Sequence, residues 1–248
     1  MIPRRLSENL HSQNWTAVCL DLVIVILGIF LGLQASEWYE RRQELVSEES
    51  VLQRLQAEFK DILSDAELGI RFHQQEIAAL ETIYQALTSG ERGPVDDARF
   101  REGLEGAMNY ELGPGRSGTY IEILSSGQFR LLRDRKLRTA LIKYDDFVLK
   151  ADSLFSSFQM NQRKHESVFN RHLTRGPARQ QEVEMMPTGV IFLHGDLVDF
   201  DIDAMANDDE FLDTIQRLIE YHTNFQFWHG KIHQSASEVL GLLNAARP

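Results

Sequence analysis

CLDLVIVILGIFLGLQASEW, residues 19–38, is apolar enough to cross a bilayer, yet it contains an aspartate, Asp21. The 24 residues from Trp15 to Trp38 would form a helix of roughly 36 Å, which suits a hydrocarbon core of about 30 Å. A tryptophan at each end is typical of the aromatic belts at membrane interfaces. The sequence therefore predicts a transmembrane helix over residues 15–38, with Trp15 and Trp38 as its membrane-interface anchors.

A cleavable signal peptide and a buried helix of a soluble protein are the two alternatives for this apolar stretch. A signal peptide would account for Arg4 and Arg5 in front of it. However, LQASEW is a poor cleavage site, and Asp21 interrupts the apolar region that a signal peptide needs. A buried soluble helix can be equally apolar. We favour an uncleaved signal anchor over both alternatives.

The orientation of the predicted span follows from its flanks. Two arginines precede the span and two follow it, so the positive-inside rule is nearly balanced. A short N-terminal arm, residues 1–14, and a large acidic domain, residues 39–248, favour a cytoplasmic N-terminus. We therefore expect a single-pass protein of the bacterial inner (cytoplasmic) membrane whose C-terminal domain is periplasmic.

One face of the predicted span combines small side chains with the acid. At 100° per residue, Asp21, Gly28 and Gly32 fall within a narrow arc. The two glycines allow another helix to approach closely, and intramembrane carboxylates usually face protein or water. We expect an intramembrane interaction site at these residues, with Gln34 bonding a second neighbour from another face. The alternative is that Asp21 reaches the headgroups or stays protonated.

The run DLVIVILGIFLGLQASEWYERR, residues 21–42, resembles the N-terminus of a widespread family of bacterial proteins. This family consists of uncharacterised single-span, membrane-anchored helical proteins that are classed as a domain of unknown function. Gly28, Gln34 and Trp38 match the Gly, Gln and Trp of the family pattern, and Asp21 stands where the family more often has Glu. The resemblance implies a membrane anchor followed by a helical domain, with no established activity to carry over.

The likeness continues in two later blocks. Residues 119–144, TYIEILSSGQFRLLRDRKLRTALIKY, are similar to a patterned segment of the family and the helix after it. Residues 207–222, NDDEFLDTIQRLIEYH, are similar to its last helix. The pattern is broken at Ser36 and Glu37, which replace paired asparagines. The residues of the three blocks make up about a quarter of the chain.

The rest of the chain is predicted to be all-α. From Trp38 to Leu87 there is no proline and one glycine, Gly69, so the transmembrane helix continues into the soluble part. A third helix is predicted over residues 134–173 and the last over residues 207–244. Three long helices joined in this way form an elongated antiparallel bundle with coiled-coil-like stripes. The apolar stripes are Leu45, Leu52, Leu55, Phe59 and Ile62; Leu141, Tyr144, Val148, Ala151, Phe155 and Phe158; and Ile215, Leu218, Phe225, Ile232, Val239 and Leu243.

Histidines continue two of these stripes. His165 and His172 follow the stripe of the third helix, and His222 and His229 lie on that of the last. Facing layers of histidine could form a metal site, and His229 with His233 has a spacing that suits one ion. Packed histidines that bond carbonyl groups are the expected alternative, so no metal or other cofactor is predicted. If two such layers faced each other, protonation near pH 6 would loosen the bundle, as in a pH sensor.

An acidic segment, DFDIDAMANDDE at residues 199–210, has carboxylates at four EF-hand positions. Ala204 stands where the sharp turn of that loop needs glycine. The simpler interpretation is an acidic linker in which Asn207 or Asp208 caps the last helix. We therefore do not predict calcium binding.

A basic run, RLLRDRKLR at residues 130–138, stands out in an acidic chain. Cations at a helix start oppose its dipole, so an acidic neighbour is expected. Adjacent acidic helices, lipid headgroups and a partner protein are the three candidates. The basic residues are Arg130, Arg133, Arg135, Lys136 and Arg138.

The composition and motifs limit the function. A net charge of −11 argues against nucleic acid as a partner. HExxH, G-x-S-x-G and CxxC motifs are absent from the sequence, and we do not expect an enzyme. We expect a membrane-anchored structural or interaction protein that binds itself or another membrane protein, as an oligomer or as an accessory subunit. The alternative is an extracytoplasmic sensing or ligand-binding helical module that acts through a membrane partner.

Overall fold

The computed structural model describes residues 15–89, 97–177 and 195–246. The chain divides into two compact units, Met1–Val51 and Leu52–Pro248. The first helix contributes to both units. The side chains of the first turn of this helix and of Asp21 lie outside the described residues.

The described residues are mainly helical, which confirms the all-α prediction in its broad form. Short 3₁₀ turns cover Gln128–Leu131 and Asn170–His172. The strands form one antiparallel pair in which Leu173 lies opposite Phe200. The α-helices are α1 (Trp15–Thr88), α2 (Asp97–Gly106), α3 (Gly118–Ser125), α4 (Arg135–Arg163), α5 (Glu166–Phe169), α6 (Ile202–Ala206) and α7 (Asp209–Ala245), and the strands are β1 (Leu173–Arg175) and β2 (Leu197–Phe200).

In the first unit, α1 has a fully exposed apolar surface. Every large apolar side chain from Leu20 to Leu33 is between 51% and 64% exposed. Among the described residues, α1 is the one helix that is long and apolar enough to cross a membrane. Signal sequences and the core helices of soluble proteins can meet the same two criteria.

In the second unit, α7 runs antiparallel to both α1 and α4. The amide of Gln56 bonds Asn244 near one end of α7, and Tyr84 bonds Gln216 near the other. The ring of Phe155 on α4 stacks on that of Phe225 on α7, with their centroids 5.3 Å apart. The core of this bundle includes the predicted stripes: every stripe residue from Leu55 onward is buried except Phe158, which is partly buried. Leu45 is exposed.

The third helix is shorter than predicted. We expected it to continue to Leu173, but α4 ends at Arg163 and the chain turns through α5 and a 3₁₀ turn into β1. Tertiary contacts stabilise this turn: Arg171 and His172 both bond Asp208, each at 2.8 Å. Helical periodicity cannot reveal such contacts.

The start of the last helix agrees with the sequence. Asp208 caps α7, accepting hydrogen bonds from the backbone N–H groups of Glu210 and Phe211 at 3.0 and 3.2 Å. Asp208 is one of the two predicted caps. The strand-like run GVIFL, residues 189–193, lies outside the described residues.

Replacing Phe225 by alanine should destabilise the bundle strongly. Its ring is fully buried and contacts the rings of His73, Phe155 and Phe158. Loss of such a ring costs about 3–5 kcal/mol. The measurement is the free energy of unfolding of the full-length chain in mild detergent, followed by circular dichroism.

Phe227→Ala is the matched control on the same helix. Phe227 is 53% exposed and its recorded ring contacts are with Trp228 and Lys231. Its loss should cost less than about 1 kcal/mol. Equal destabilisation by the two substitutions would contradict this packing.

Candidate functional site

The predicted intramembrane site lies on the exposed part of α1. Gly28 and Gly32 are open, because a Cβ added to either would meet no atom of the described residues within 4 Å. Gln34 is exposed on another face of the same helix. The helical backbone of α1 places Asp21 in the same arc as both glycines. The side chain of Asp21 lies outside the described residues.

The structure describes the side chain of one of the two predicted interface anchors, Trp38. Trp38 is 63% exposed, and the guanidinium of Arg42 lies 5.5 Å from the centre of its indole ring. Such a cation–π pair suits a residue at a charged interface. The side chain of Trp15 lies outside the described residues.

A second group of polar residues lies in the bundle core, where three histidines meet. His222 and His229 of α7 are fully buried, as their stripe predicts. Their partner is His73 of α1, which is also fully buried and which the sequence analysis missed. His165 and His172, the expected partners, lie elsewhere: His165 is 6.1 Å from the ring of Tyr221, and His172 bonds Asp208.

These histidines bond the connection between α2 and α3, residues 107–117. His222 Nε2 lies 3.1 Å from the carbonyl oxygen of Ala107, and His229 Nε2 lies 3.1 Å from that of Glu111. The backbone N–H of Glu111 is 3.4 Å from His73 Nε2. A non-helical segment therefore crosses the bundle with its buried backbone groups satisfied by imidazoles.

The hydrogen bonds fix the protonation of two rings. A carbonyl oxygen can only accept, so His222 donates from Nε2 to Ala107, and its Nδ1 carries no proton when the ring is neutral. His73 Nδ1, 2.9 Å away, must then donate to His222 Nδ1. His73 Nε2 is left to accept from the N–H of Glu111. The result is a neutral chain of hydrogen bonds that runs through both rings.

His229 is accommodated by Gly69, the one glycine of α1 in the unit that begins at Leu52. A Cβ on Gly69 would clash with His229 Cε1, so the ring packs directly on the backbone of α1. His229 donates from Nε2 to Glu111, which leaves Nδ1 as an acceptor with no hydrogen-bond partner among the described residues. This arrangement favours the neutral ring.

Burial keeps all three imidazoles neutral at ordinary pH. Burial and the neighbouring histidines lower the pKa of His73 to about 2. Burial lowers the pKa of His222 to about 4 and also lowers that of His229, against the opposing effect of their carbonyl bonds. The described residues contain no group of three His, Cys, Asp or Glu side chains placed to hold a metal ion.

Two further side chains fasten the same connection near α3. Arg116 forms a bidentate ion pair with Asp145 of α4, at 2.5 and 2.8 Å. Glu58 of α1 accepts hydrogen bonds from Ser117 Oγ at 2.6 Å and from the N–H of Thr119 at 3.0 Å. The connection is therefore bonded to all three long helices.

Glu76 of α1 is a partly buried titratable group close to His73 in the sequence. Burial, with Glu102 nearby, raises its pKa to about 7. Its Oε2 has no hydrogen-bond partner among the described residues. This oxygen lies close to Gly106, so that a Cβ added to Gly106 would clash with it. Glu76 lines a cleft of about 640 Å³ between α1 and α2, together with Arg99, Glu102 and apolar side chains.

The acidic residues that suggested an EF-hand have separate structural roles. Asp199 lies in β2, and Asp201 caps α6 by accepting from the N–H of Ala204 at 3.0 Å. Asp208 caps α7 and bonds His172. The acidic linker is therefore the interpretation that these contacts support.

The chain was compared with protein-family models, with curated proteins and with solved structures, and it has no match in any of the three. The resemblance to the single-span bacterial family consequently remains a prediction. Functional inference therefore depends on the geometry of the chain's own residues.

The stability of the bundle should fall as the pH drops from 7 to 5. The unfolded state binds protons at histidine near pH 6.5, whereas buried His73 and His222 do not until far lower pH. The contribution of these neutral histidines to the free energy of unfolding is therefore fully present above the pKa of an unfolded histidine. It is lost as the pH falls below that pKa. Each ring should contribute a loss of about 2 kcal/mol between pH 7 and pH 5. Chemical denaturation at the two pH values measures this loss.

The variants His222→Gln and Glu76→Gln should change this dependence in opposite directions. His222→Gln removes one of the histidines whose protonation in the unfolded state lowers stability. Its decrease in the free energy of unfolding between pH 7 and pH 5 should therefore be smaller than that of the wild type by about 2 kcal/mol. Glu76 has a raised pKa, so it favours the fold at low pH and opposes it as the pH rises through 7. Glu76→Gln should therefore show a larger decrease. Identical pH dependence in all three proteins would contradict these assignments.

Proposed function

We propose that this chain is a membrane-anchored interaction protein that associates through α1 with itself or with another membrane protein. The observation that carries the proposal is the apolar surface of Leu20–Leu33, which no described residue covers. A surface of this size in water is costly, so it needs lipid or protein around it. The bilayer is therefore the first partner, with the chain in the bacterial inner membrane and the domain periplasmic.

The small face of α1 supports a protein neighbour in addition to lipid. In a membrane, helices associate through close packing and hydrogen bonds, because the lipid is as apolar as leucine. Gly28 and Gly32 leave room for a second backbone, and Asp21 lies in the same arc. We propose that Asp21 meets a cation or a hydrogen-bond donor there, and that Gln34 bonds a second neighbour. The chain then acts as an oligomer or as an accessory subunit.

A second candidate function is sensing or ligand binding in the soluble domain. The cleft beside Glu76 favours it, because it combines a carboxyl group of pKa about 7 with both polar and apolar lining residues. Such a module would have to act through a membrane partner, so it too requires the contact on α1. Binding of a ligand that Glu76→Gln abolishes would support this second function over a purely structural one.

Bulky residues on the small face should disrupt assembly. Gly28→Leu with Gly32→Leu blocks the close approach of a neighbour, and Asp21→Leu removes its hydrogen bond. Because interhelical hydrogen bonds are worth about 1–2 kcal/mol, Asp21→Leu should weaken association about tenfold. The glycine double variant should weaken it as well, because its side chains keep the two backbones apart. Chemical cross-linking in native membranes, followed by the ratio of cross-linked to monomeric chain, measures the effect.

Ile26→Leu with Phe30→Leu is the matched control. These residues lie on the opposite face of α1 at 100° per residue, and the substitutions keep the helix apolar. The control should cross-link as the wild type does, at equal abundance and insertion. If both small-face variants also cross-linked like the wild type, the proposed contact would be wrong.

A further inference from the structure

Residues 107–112, the first part of the α2–α3 connection, lie over aromatic side chains of the bundle core. The ring of Tyr110 stacks on that of Phe225, with their centroids 6.1 Å apart. The next residue, Gly113, lies so close to the ring of Phe155 that a Cβ on it would clash with that ring. We call residues 107–112 the histidine-bound segment, because its backbone is bonded by His73, His222 and His229.

Both ends of the histidine-bound segment are attached to the bundle by bonds that do not involve histidine. Before it, α2 is attached by Arg101 and Glu105, which bond the backbone C=O and N–H of Leu197. After it, Arg116 is ion-paired with Asp145 of α4. The segment can therefore leave the core while both attachments remain.

A proton added to the imidazoles breaks their bonds with the segment. His222 Nδ1 accepts from His73 Nδ1 at 2.9 Å, so a proton on His222 Nδ1 forces His73 to move its own proton to Nε2. His73 Nε2 then donates to the carbonyl oxygen of Glu111 at 3.4 Å, and the N–H of Glu111 loses its acceptor. A proton on His229 Nδ1 has no acceptor among the described residues. Protonation and the bonded segment are therefore incompatible.

The other titratable groups around these rings do not balance an added proton. Among the described residues, the buried carboxyl groups are those of Glu111 and Asp145. Asp145 is paired with Arg116, and Glu111 belongs to the segment itself. Glu76, one turn further along α1, has a pKa of about 7, so it is largely uncharged at pH 5. The side chains in ring contact with the three histidines are otherwise aromatic: Phe72, Phe155 and Phe225.

We propose that the histidine-bound segment is a cover that acid releases from the aromatic core while the helices of the bundle stay folded. In the released state, water reaches the imidazoles and they bind protons near the usual histidine pKa of 6.5. In the closed state they stay neutral, because burial lowers the pKa of His73 to about 2 and that of His222 to about 4. Acid therefore favours release.

The size of this effect follows from proton linkage. Each ring that is freed raises the ratio of released to closed segment about 25-fold between pH 7 and pH 5. His73 and His222 together raise it about 600-fold, and His229 adds to this. Release uncovers the rings of Phe155 and Phe225, so the acid form presents an aromatic surface that the neutral form covers. The inference concerns this unit alone and does not depend on the association through α1.

Hydrogen–deuterium exchange of the full-length protein in mild detergent tests the proposal. Peptides are followed by mass spectrometry at pH 7 and pH 5, and the rates are corrected for the intrinsic effect of pH on amide exchange. We expect the protection of residues 107–112 to fall at least about 600-fold, and to lie well below that of α4 and α7 at pH 5. Equal protection at the two pH values would overturn the proposal. Loss of protection in the segment and in α7 to the same level would also overturn it, because the whole bundle would then unfold together.

Two variants separate the histidine bonds from general effects of acid. His222→Gln keeps a side-chain N–H that can donate to Ala107 but cannot bind a proton, so the fall in protection should be about 25-fold smaller than in the wild type. His165→Gln is the matched control, since His165 contacts the ring of Tyr221 instead, and it should behave as the wild type does. An unchanged fall in His222→Gln would contradict the proposal. If this variant does not fold, the comparison of the segment with α7 in the wild type decides.

Discussion

Eleven large apolar side chains between Leu20 and Leu33 are exposed along one continuous helix, and the functional account depends on what covers them. Burying a side chain of this kind is worth about 1.5–3 kcal/mol, so leaving all of them in water forgoes more free energy than the net stability of an ordinary domain. The unit that begins at Leu52 has a core of its own. We propose lipid and a neighbouring helix as the two partners that cover this apolar helix with its small face.

A different constraint acts inside the bundle, where backbone polar groups must find partners. The connection over residues 107–117 is not helical, so its buried N–H and C=O groups cannot bond within the segment. His73, His222 and His229 bond Ala107 and Glu111, and the rings lie against aromatic side chains. Because the imidazoles act as neutral hydrogen-bonding groups, they make the core polar without placing a charge in it. These hydrogen bonds therefore determine which segment crosses the core, and they make the bundle sensitive to acid.

The periodic parts of this fold could be predicted from the sequence. The apolar stripes of α4 and α7 repeat at three and four residues, and a carboxylate at the start of α7 gives a local cap. The apolar stripe of α1 is interrupted after Ala66, because it continues through Gly69, His73 and Glu76 before it resumes at Leu80. These three residues hold the core positions of the same repeat, but an apolar criterion does not detect them. The repeat itself, extended through polar residues, would have found them.

The remaining features depend on contacts between distant parts of the chain. The turn after Arg163 is set by bonds from Arg171 and His172 to Asp208, 36 or more residues away. The course of the α2–α3 connection follows from three histidines on two helices. The local sequence contains no signal that predicts either feature. The predicted intramembrane site is a different case. The residues of α1 predict a contact there, and that contact can be observed only when the partner is present.

The central claim is that α1 brings this chain into a complex with itself or with another membrane protein. The mass of the particle extracted from its native membrane in mild detergent tests that claim most directly. We predict a protein mass well above 28.5 kDa, as a multiple of this chain or with foreign subunits. A single chain of 28.5 kDa in the extracted particle would contradict it.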